Sequence, residues 1–187
     1  MTTQIVLIRP GTTAYDEQNR IQGVLDIPLS DRGWAEVAEL AEKLAHLNLA
    51  ALYCGPSENA LRTAEAVGRN LGLRPRRVDE LRNLDQGLWQ GLQVDEVRRR
   101  HQKVFRRCID DPCTICPPHG EPVDAALERI KVTLKPLIKR HRDEAIGLVA
   151  CEPIAQLIAC YLRREPRVQL ADHVPPAGFE RITLSPD

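Results

Sequence analysis

The sequence contains no apolar run that approaches the roughly 20 residues that a membrane-spanning helix needs. It also has no excess of either charge, because its 187 residues include 26 Lys and Arg and 26 Asp and Glu. A protein that binds nucleic acid or a membrane surface usually has a basic excess, so we expect neither kind of partner. The short arginine-rich runs at 74–77 and 98–100 are typical of solvated ends of secondary-structure elements.

The sequence leaves no room for a secretion signal, since its first apolar strand begins within a few residues of Met1. We therefore expect a cytoplasmic protein, whose six cysteines are thiols or metal ligands rather than disulfides. No internal repeat and no linker divides the chain. Its length suits one domain with a substantial core, and we expect a single domain over residues 1–187.

Apolar periodicity predicts strands that alternate with helices. Predicted strands lie at 5–8, 49–53 and 146–150, a short one or its exit at 78–81, and a last one at 179–184. Predicted helices lie after Ser30 and at 57–71, 94–107, 123–141 and 153–162. Ser30 suits an N-cap and Gly72 a helix end, and Trp34 and Trp89 are expected in the core or a pocket wall. The alternation indicates an α/β fold, a three-layer α/β/α sandwich with a mostly parallel central sheet.

Two of the predicted strands run directly into turns. The first strand leads into Arg9, Pro10 and Gly11, and the strand at 146–150 leads through Cys151 into a helix. Other short motifs follow in order along the chain, at 22–23, 26–33, 55–65, 81–91 and 119–121. Any one of these motifs is weak evidence, whereas their shared order is specific.

In combination the motifs resemble the histidine phosphatase superfamily, the phosphoglycerate mutase-like proteins, over nearly the whole chain. The resemblance implies the phosphoglycerate mutase-like form of the sandwich. In active members the first strand ends in Arg-His-Gly, and this histidine attacks phosphorus. Arginines and a second histidine bind the phosphoryl oxygens, and a glutamate protonates the leaving oxygen.

This sequence departs from the family pattern at the catalytic positions. Pro10 stands at the nucleophile's position, Asn59 at the second arginine's, Asn83 at the acid's and Cys151 at the second histidine's. Of the core group only Arg9 remains. Since these groups act as a unit and each supplies roughly 3–5 kcal/mol of barrier lowering, the resemblance predicts that the family's reaction is absent.

The resemblance places a ligand-binding site at and beside these positions. Its expected residues are Arg9, Gly11, Asp16, Gln22, Asn59, Arg62, Asn83 and Cys151. Arg9 has the fork of donors that suits a phosphate or another small anion, and its alternative is a structural pair with Asp16 or Asp85. Asp16 replaces a usual Asn and adds negative charge. Arg62, three residues after Asn59, either replaces the missing cation or forms a surface salt bridge.

A second hypothesis is an enzyme of altered chemistry that uses Cys151 with Arg9. Cys151 lies at a strand end before a helix, where amide dipoles favour a thiolate, and its alternative is an inert buried thiol. Asn59 and Asn83 are expected to hydrogen-bond a neutral ligand or each other.

A third hypothesis is a metal-dependent interaction module on the Cys- and Pro-rich flap loop expected at about 108–122. Cys108, Cys113, Cys116 and His119 provide four soft ligands, enough for a tetrahedral zinc site. The three cysteines also resemble an iron–sulfur spacing without an evident fourth ligand, and coincidental loop cysteines are the alternative. The leading hypothesis needs no cofactor: a pseudophosphatase that binds an anionic or phosphorylated ligand or a protein partner.

Overall fold

The computed structural model describes residues 2–110, 116–165 and 175–184. Its strands are β1 Gln4–Ile8, β2 Ala51–Cys54, β3 Arg76–Arg77, β4 Ala145–Val149 and β5 Phe179–Thr183. They form one sheet in the order β3-β2-β4-β1-β5. The first four strands run parallel, and β5 is antiparallel to its neighbour β1. The mostly parallel sheet is therefore confirmed.

Seven α-helices accompany the sheet in the described part of the chain. They are α1 Ala14–Glu17, α2 Asp31–Leu44, α3 Glu58–Leu71, α4 Val94–Arg100, α5 Gln102–Asp110, α6 Val123–Arg140 and α7 Ile154–Arg163. The Ser30 hydroxyl caps α2 by accepting a hydrogen bond from the Gly33 N–H at 3.2 Å. At the end of α3, Gly72 adopts the left-handed conformation with φ +65°. Both predicted caps are confirmed.

The core has two parts, one on each face of the sheet. On one face, Ile5 and Leu7 of β1 pack in a cluster with α6 and α7. On the other face, Val6 and Ile8 pack in a cluster with α2 and α3. Because both faces of β1 are covered, its sequence reads as a continuous apolar run rather than as an alternation. The three-layer sandwich follows from this double burial.

The charged helix predicted at 94–107 is two helices, α4 and α5, separated at His101. Helix α5 continues to Asp110, so the prediction of a loop that starts at 108 is wrong for residues 108–110. The first residue that resists helix formation in this stretch is Pro112, two positions beyond the end of α5. At the sheet edge, β3 is followed by a 3₁₀ turn at Asp79–Leu81, so residues 78–81 are the exit of the strand, which is one of the two predicted alternatives.

The two tryptophans have different environments. Trp89 is 5% exposed, as predicted, whereas Trp34 is 45% exposed on the surface of α2. Trp34 is not in the core, because α2 buries the face that contains Val37, Leu40 and Leu44 and Trp34 lies beside that face. It lines a surface groove next to α3, which agrees with the predicted alternative of a pocket wall. Within the described ranges, no helix combines the length and the apolarity that crossing a bilayer requires.

The sheet register brings the two motif-bearing strand ends together. Ile8 of β1 pairs with Val149 of β4, so the residues that follow these two strands emerge side by side. Gly11, in the turn after β1, packs against α2: a Cβ there would lie 2.6 Å from the Gly33 carbonyl oxygen and 2.7 Å from Val37 Cγ2. Only glycine fits this close approach of turn and helix.

Candidate functional site

A cleft of about 460 Å³ opens at the carboxyl ends of β1 and β4. The residues that follow the two strands, among them Pro10 and Cys151, form its floor. Apolar side chains contribute much of the wall, including Ile21, Trp89, Val94, Phe105 and Pro153. Pro10 thus lines the cleft without closing it. The volume lies within the range of small-molecule sites.

The structure brings six of the eight expected site residues to this cleft. They are Arg9, Gly11, Asp16, Gln22, Asn59 and Cys151. Arg62 does not reach it. Its guanidinium lies on the exposed side of α3, at 3.1 Å from Glu65 and 3.7 Å from Glu58. Its prediction as a ligand contact is wrong, because α3 turns Asn59 into the buried face and leaves Arg62 in solvent as a surface salt bridge.

Arg9 is buried and paired with two carboxylates. Its Nε donates to Glu152 Oε1 at 2.6 Å, and its Nη1 lies 2.9 Å from Glu180 Oε1. The second contact is an ion pair by distance and not an aligned hydrogen bond. The partners predicted from the sequence, Asp16 and Asp85, were wrong. Antiparallel pairing of β5 with β1 brings Glu180 opposite Leu7, close to Arg9. No local sequence pattern predicts this pairing.

The Cys151 thiol is held by two neutral groups. Its Sγ lies 3.4 Å from Asn59 Oδ1 and 3.3 Å from Ser57 Oγ. Since the amide oxygen can only accept, the thiol donates to Asn59. Burial raises the pKa of Cys151 to about 11, and the Asp16 and Glu152 carboxylates act in the same direction. This direction favours the protonated thiol at neutral pH and supports the alternative of an inert buried thiol over a thiolate.

Asn83 lies beneath the cleft and does not line it. Its Nδ2 donates to the Gly23 carbonyl at 3.0 Å and to the Glu152 carbonyl at 2.8 Å, and its Oδ1 accepts from the Leu84 N–H at 2.9 Å. The expected contact between Asn59 and Asn83 was therefore wrong. Both donors of Asn83 are used to fix the floor to the 23–25 loop, so its role here is structural.

The turn after β1 is fixed by side chains of α2 and α3. The Gly11 N–H donates to Thr63 Oγ1 at 3.2 Å, and Thr12 donates to Glu36 Oε2 through its N–H at 3.0 Å and its hydroxyl at 2.7 Å. Burial raises the pKa of Glu36, but these hydrogen bonds and the Arg32 guanidinium outweigh it, so the pKa lies below its usual value. The cleft floor is thus rigidly positioned.

Asp16 caps the short helix α1 at the edge of the cleft. Its Oδ2 accepts hydrogen bonds from the Thr13 N–H and the Thr13 hydroxyl, both at 2.7 Å. A carboxylate that also lines the cleft is thereby held in place by two donors. The added negative charge predicted from the sequence is present at the site.

Sequence reasoning missed several residues of the cleft. Glu152 and Arg20 line it, and Glu180 holds Arg9 from below. Arg20 Nη1 donates to the Gly91 carbonyl at 2.6 Å, which ties it to the loop below Trp89. The position of Glu152 directly after Cys151 was a usable signal. No sequence signal pointed to Arg20 or Glu180, because only long-range packing brings these two residues to the cleft.

The metal hypothesis is only partly covered by the structure. Cys108 belongs to α5, His119 has a left-handed backbone with φ +62°, and Cys113 lies outside the described residues. In the segments that the structure describes, no three His, Cys, Asp or Glu side chains are grouped as a metal site requires. A zinc site at Cys108, Cys113, Cys116 and His119 therefore stays a prediction.

The family model of the histidine phosphatase superfamily, branch 1, matches residues 5–187. The fold and the motif-bearing strand ends described above agree with that match. The chain therefore belongs to the histidine phosphatase superfamily.

Particular curated proteins are similar to this chain. The chain is 28% identical over 147 residues to phosphoserine phosphatase 1 of Hydrogenobacter thermophilus, which covers 79% of this chain and 70% of that protein. It is 35% identical over 158 residues to the bifunctional protein Rv2228c of Mycobacterium tuberculosis, covering 83% of this chain. That match spans 43% of Rv2228c, less than half of its length.

Solved structures share the fold. Bacillus stearothermophilus YhfR superimposes with a TM-score of 0.85 at 25% identity, covering 96% of this chain and 90% of that one. The mycobacterial glucosyl-3-phosphoglycerate phosphatase Rv2419c, in its complex with VO3, gives a TM-score of 0.88 at 24% identity, covering 95% and 90%. At 24% identity, the similarity to Rv2419c concerns the fold alone.

Proposed function

We propose that this chain is a catalytically inactive member of its superfamily, a pseudophosphatase whose cleft binds a ligand without chemical turnover. The observation that carries the proposal is Pro10 on the floor of the open cleft. The family's reaction needs a nitrogen lone pair in line with phosphorus at that position. A proline side chain has no nucleophilic atom, and its backbone nitrogen carries no hydrogen.

The side chains at the positions of the second histidine and of the acid do not replace the missing groups. Cys151 is a protonated thiol whose two contacts, Ser57 and Asn59, are not bases. Asn83 occupies the acid's position, and both of its amide donors are used in the fold. A loss of nucleophile, acid and cation together removes contributions that act as a unit. These facts disfavour the alternative of an enzyme that uses Cys151 with Arg9.

The sequence suggested two kinds of partner, a small anion in the cleft or a protein on the surface. A concave site of about 460 Å³ with converging polar groups favours a small molecule. We keep a protein partner as the second candidate, and the charge of the small ligand is argued below.

The test is turnover of phosphate monoesters by the native protein, on a panel that includes phosphoserine, 3-phosphoglycerate and an aryl phosphate. Phosphoserine phosphatase 1 of Hydrogenobacter thermophilus, an active enzyme by its name, serves as the positive control. We expect no phosphate release above the buffer rate. Turnover that is abolished by Cys151→Ser or Arg9→Ala would contradict the proposal and support the altered enzyme.

A second arm asks whether the scaffold still supports the chemistry. It combines Pro10→His, Asn59→Arg and Cys151→His, and adds Asn83→Glu in a further variant, because Asn83 also holds the floor of the cleft. The matched control carries the same changes with Pro10→Ala in place of Pro10→His. Phosphate release that depends on the histidine at position 10 is the expected sign of a lost nucleophile on a preserved scaffold.

The proposal also assigns the protein to the cytoplasm. The argument is that Cys54, Cys116, Cys151 and Cys160 are free thiols in the described part of the chain, as is usual in a reducing compartment. Cell fractionation with an antibody against the chain tests it, and recovery in a membrane or secreted fraction would contradict it.

A further inference from the structure

The cationic group that the family uses for phosphate is already occupied in this chain. The Arg9 side chain is 3% exposed, and carboxylates lie at 2.6 Å from its Nε and 2.9 Å from its Nη1. A phosphate that approaches Arg9 must displace Glu152 or Glu180, or accept a carboxylate as its neighbour. Either way the entering anion meets negative charge where an active phosphatase offers positive charge.

Among the described residues, the cleft is lined by as many carboxylates as guanidiniums. The guanidiniums are those of Arg9 and Arg20, and the carboxylates are those of Asp16 and Glu152. Glu180 adds a third carboxylate behind Arg9. The electrostatic field of these charged groups also acts on the Cys151 thiol, which lies on the floor of the cleft. Burial is the main reason that its pKa is raised to about 11, and the Asp16 and Glu152 carboxylates raise it further. The floor therefore does not attract a dianion.

The remaining lining is apolar or carries uncharged polar groups. Trp89 and Phe105 form an aromatic wall, with ring centroids 6.4 Å apart. Three amide side chains contribute uncharged hydrogen-bonding groups to the same cleft: Gln22, Asn59 and Gln86. Aromatic walls with a few amides suit a ligand that combines an apolar body with an uncharged polar end.

We propose that the cleft binds an uncharged ligand with an aromatic or apolar body and a hydroxyl-type polar end, and that Glu152 and Glu180 make it reject phosphate monoesters. This inference rests on the proposed function, since it takes the cleft to be a binding site rather than a catalytic one. Glu152 and Glu180 are then specificity-determining residues, because they hold Arg9 in an internal ion pair.

The test uses two probes with the same aromatic body, 1-naphthol and 1-naphthyl phosphate. Binding of each is measured by titration calorimetry and by the fluorescence of the tryptophans, at one pH and one ionic strength. Release of 1-naphthol from the phosphate is followed in the same samples. We expect naphthol to bind at least about tenfold more tightly than its phosphate, as one unpaired charge contact predicts.

The variant Glu152→Gln with Glu180→Gln removes both carboxylates and keeps the side-chain shapes. It is expected to strengthen binding of 1-naphthyl phosphate by at least about tenfold and to leave naphthol affinity within about threefold. The matched control is Glu58→Gln, which removes a carboxylate from an exposed ion pair with Arg62 outside the cleft. Asp16→Asn removes another negative charge from the cleft. It is a useful variant because an asparagine side chain, like the aspartate of the α1 capping box, can accept hydrogen bonds at a helix start.

The outcomes separate the two proposals. Hydrolysis of 1-naphthyl phosphate by the native protein would refute the proposed function. Without hydrolysis, equal or tighter binding of the phosphate, or no binding of either probe, overturns the inference about the ligand. Unchanged selectivity in the double variant and in Asp16→Asn overturns the assignment of these carboxylates as determinants of specificity.

Discussion

The ion pair of Arg9 leads to a quantitative prediction for stability. Replacing Glu152 and Glu180 together by Gln leaves a guanidinium that is 3% exposed without a carboxylate partner. Removing the partners of a buried charge costs about 3–5 kcal/mol, because the remaining charge is neither hydrated nor paired. Each single substitution leaves one carboxylate in place and is expected to cost less than half of that.

The same chemistry at the surface provides the comparison. Arg62 and Glu58 form an ion pair whose side chains are 47% and 43% exposed, and Arg62 keeps Glu65 as a partner at 3.1 Å, so Glu58→Gln should change stability very little. The difference between buried and exposed pairs is thus several-fold. A loss of 3–5 kcal/mol is a large part of the roughly 5–15 kcal/mol that stabilises a typical domain, so the circular dichroism of the double variant is first recorded without urea to establish that it is folded.

The assay is urea unfolding followed by circular dichroism, with the dependence on urea concentration compared among all variants. Adding Arg9→Met to the double variant removes the uncompensated charge and should restore most of the lost stability. A double variant that loses under about 1 kcal/mol, like the surface control, would refute the argument. Failure of Arg9→Met to restore stability would show that the loss comes from packing or from the ion pair between Glu180 and Arg163, and not from the uncompensated charge of Arg9.

The remaining predictions concern the floor of the cleft and the turn before it. The pKa of Cys151 is raised from 9.0 to about 11, so its contribution is complete below pH 9 and is lost as the pH rises towards 11. Cys151→Ala should therefore remove about 3 kcal/mol of the stability that is lost at alkaline pH, at about 1.4 kcal/mol per unit of pKa. In addition, iodoacetamide should label the native Cys151 thiol slowly at pH 7.5. Glu36 has a lowered pKa, so its contribution is present above the usual value and is lost as the pH falls through the folded value. When the free energy of unfolding is measured at decreasing pH, Glu36→Gln should reduce its decline in the acid range. An unchanged decline would contradict the role of Glu36 in holding Thr12. Gly11→Ala forces a Cβ to 2.6 Å from the Gly33 carbonyl oxygen, so thermal unfolding should report a loss of about 1–3 kcal/mol, and a neutral result would mean that the turn moves freely.

Local sequence determined the architecture. Apolar runs over Ile5–Ile8 and Ile146–Val149 predicted the buried parallel strands, since a strand covered on both faces has no polar alternation. Ser30 and Gly72 predicted the helix ends, because capping depends on a side chain or a φ angle within a few residues. The resemblance carried by the motifs placed a ligand-binding site at and beside the two strand ends, and the cleft contains six of the eight residues expected there.

Tertiary structure alone decided the electrostatics of the site. Arg9 meets Glu152 across 143 residues of sequence and Glu180 through the antiparallel strand β5, and no local pattern encodes such pairs. Burial sets the protonation state of Cys151, and the rotation of α3 separates Arg62 from Asn59. The sequence by itself therefore determined which side chains stand at the two strand ends, because that depends on residue identity. Only the folded chain decided the charge that the cleft presents to a ligand, because charge pairing depends on distances between segments that are remote in sequence.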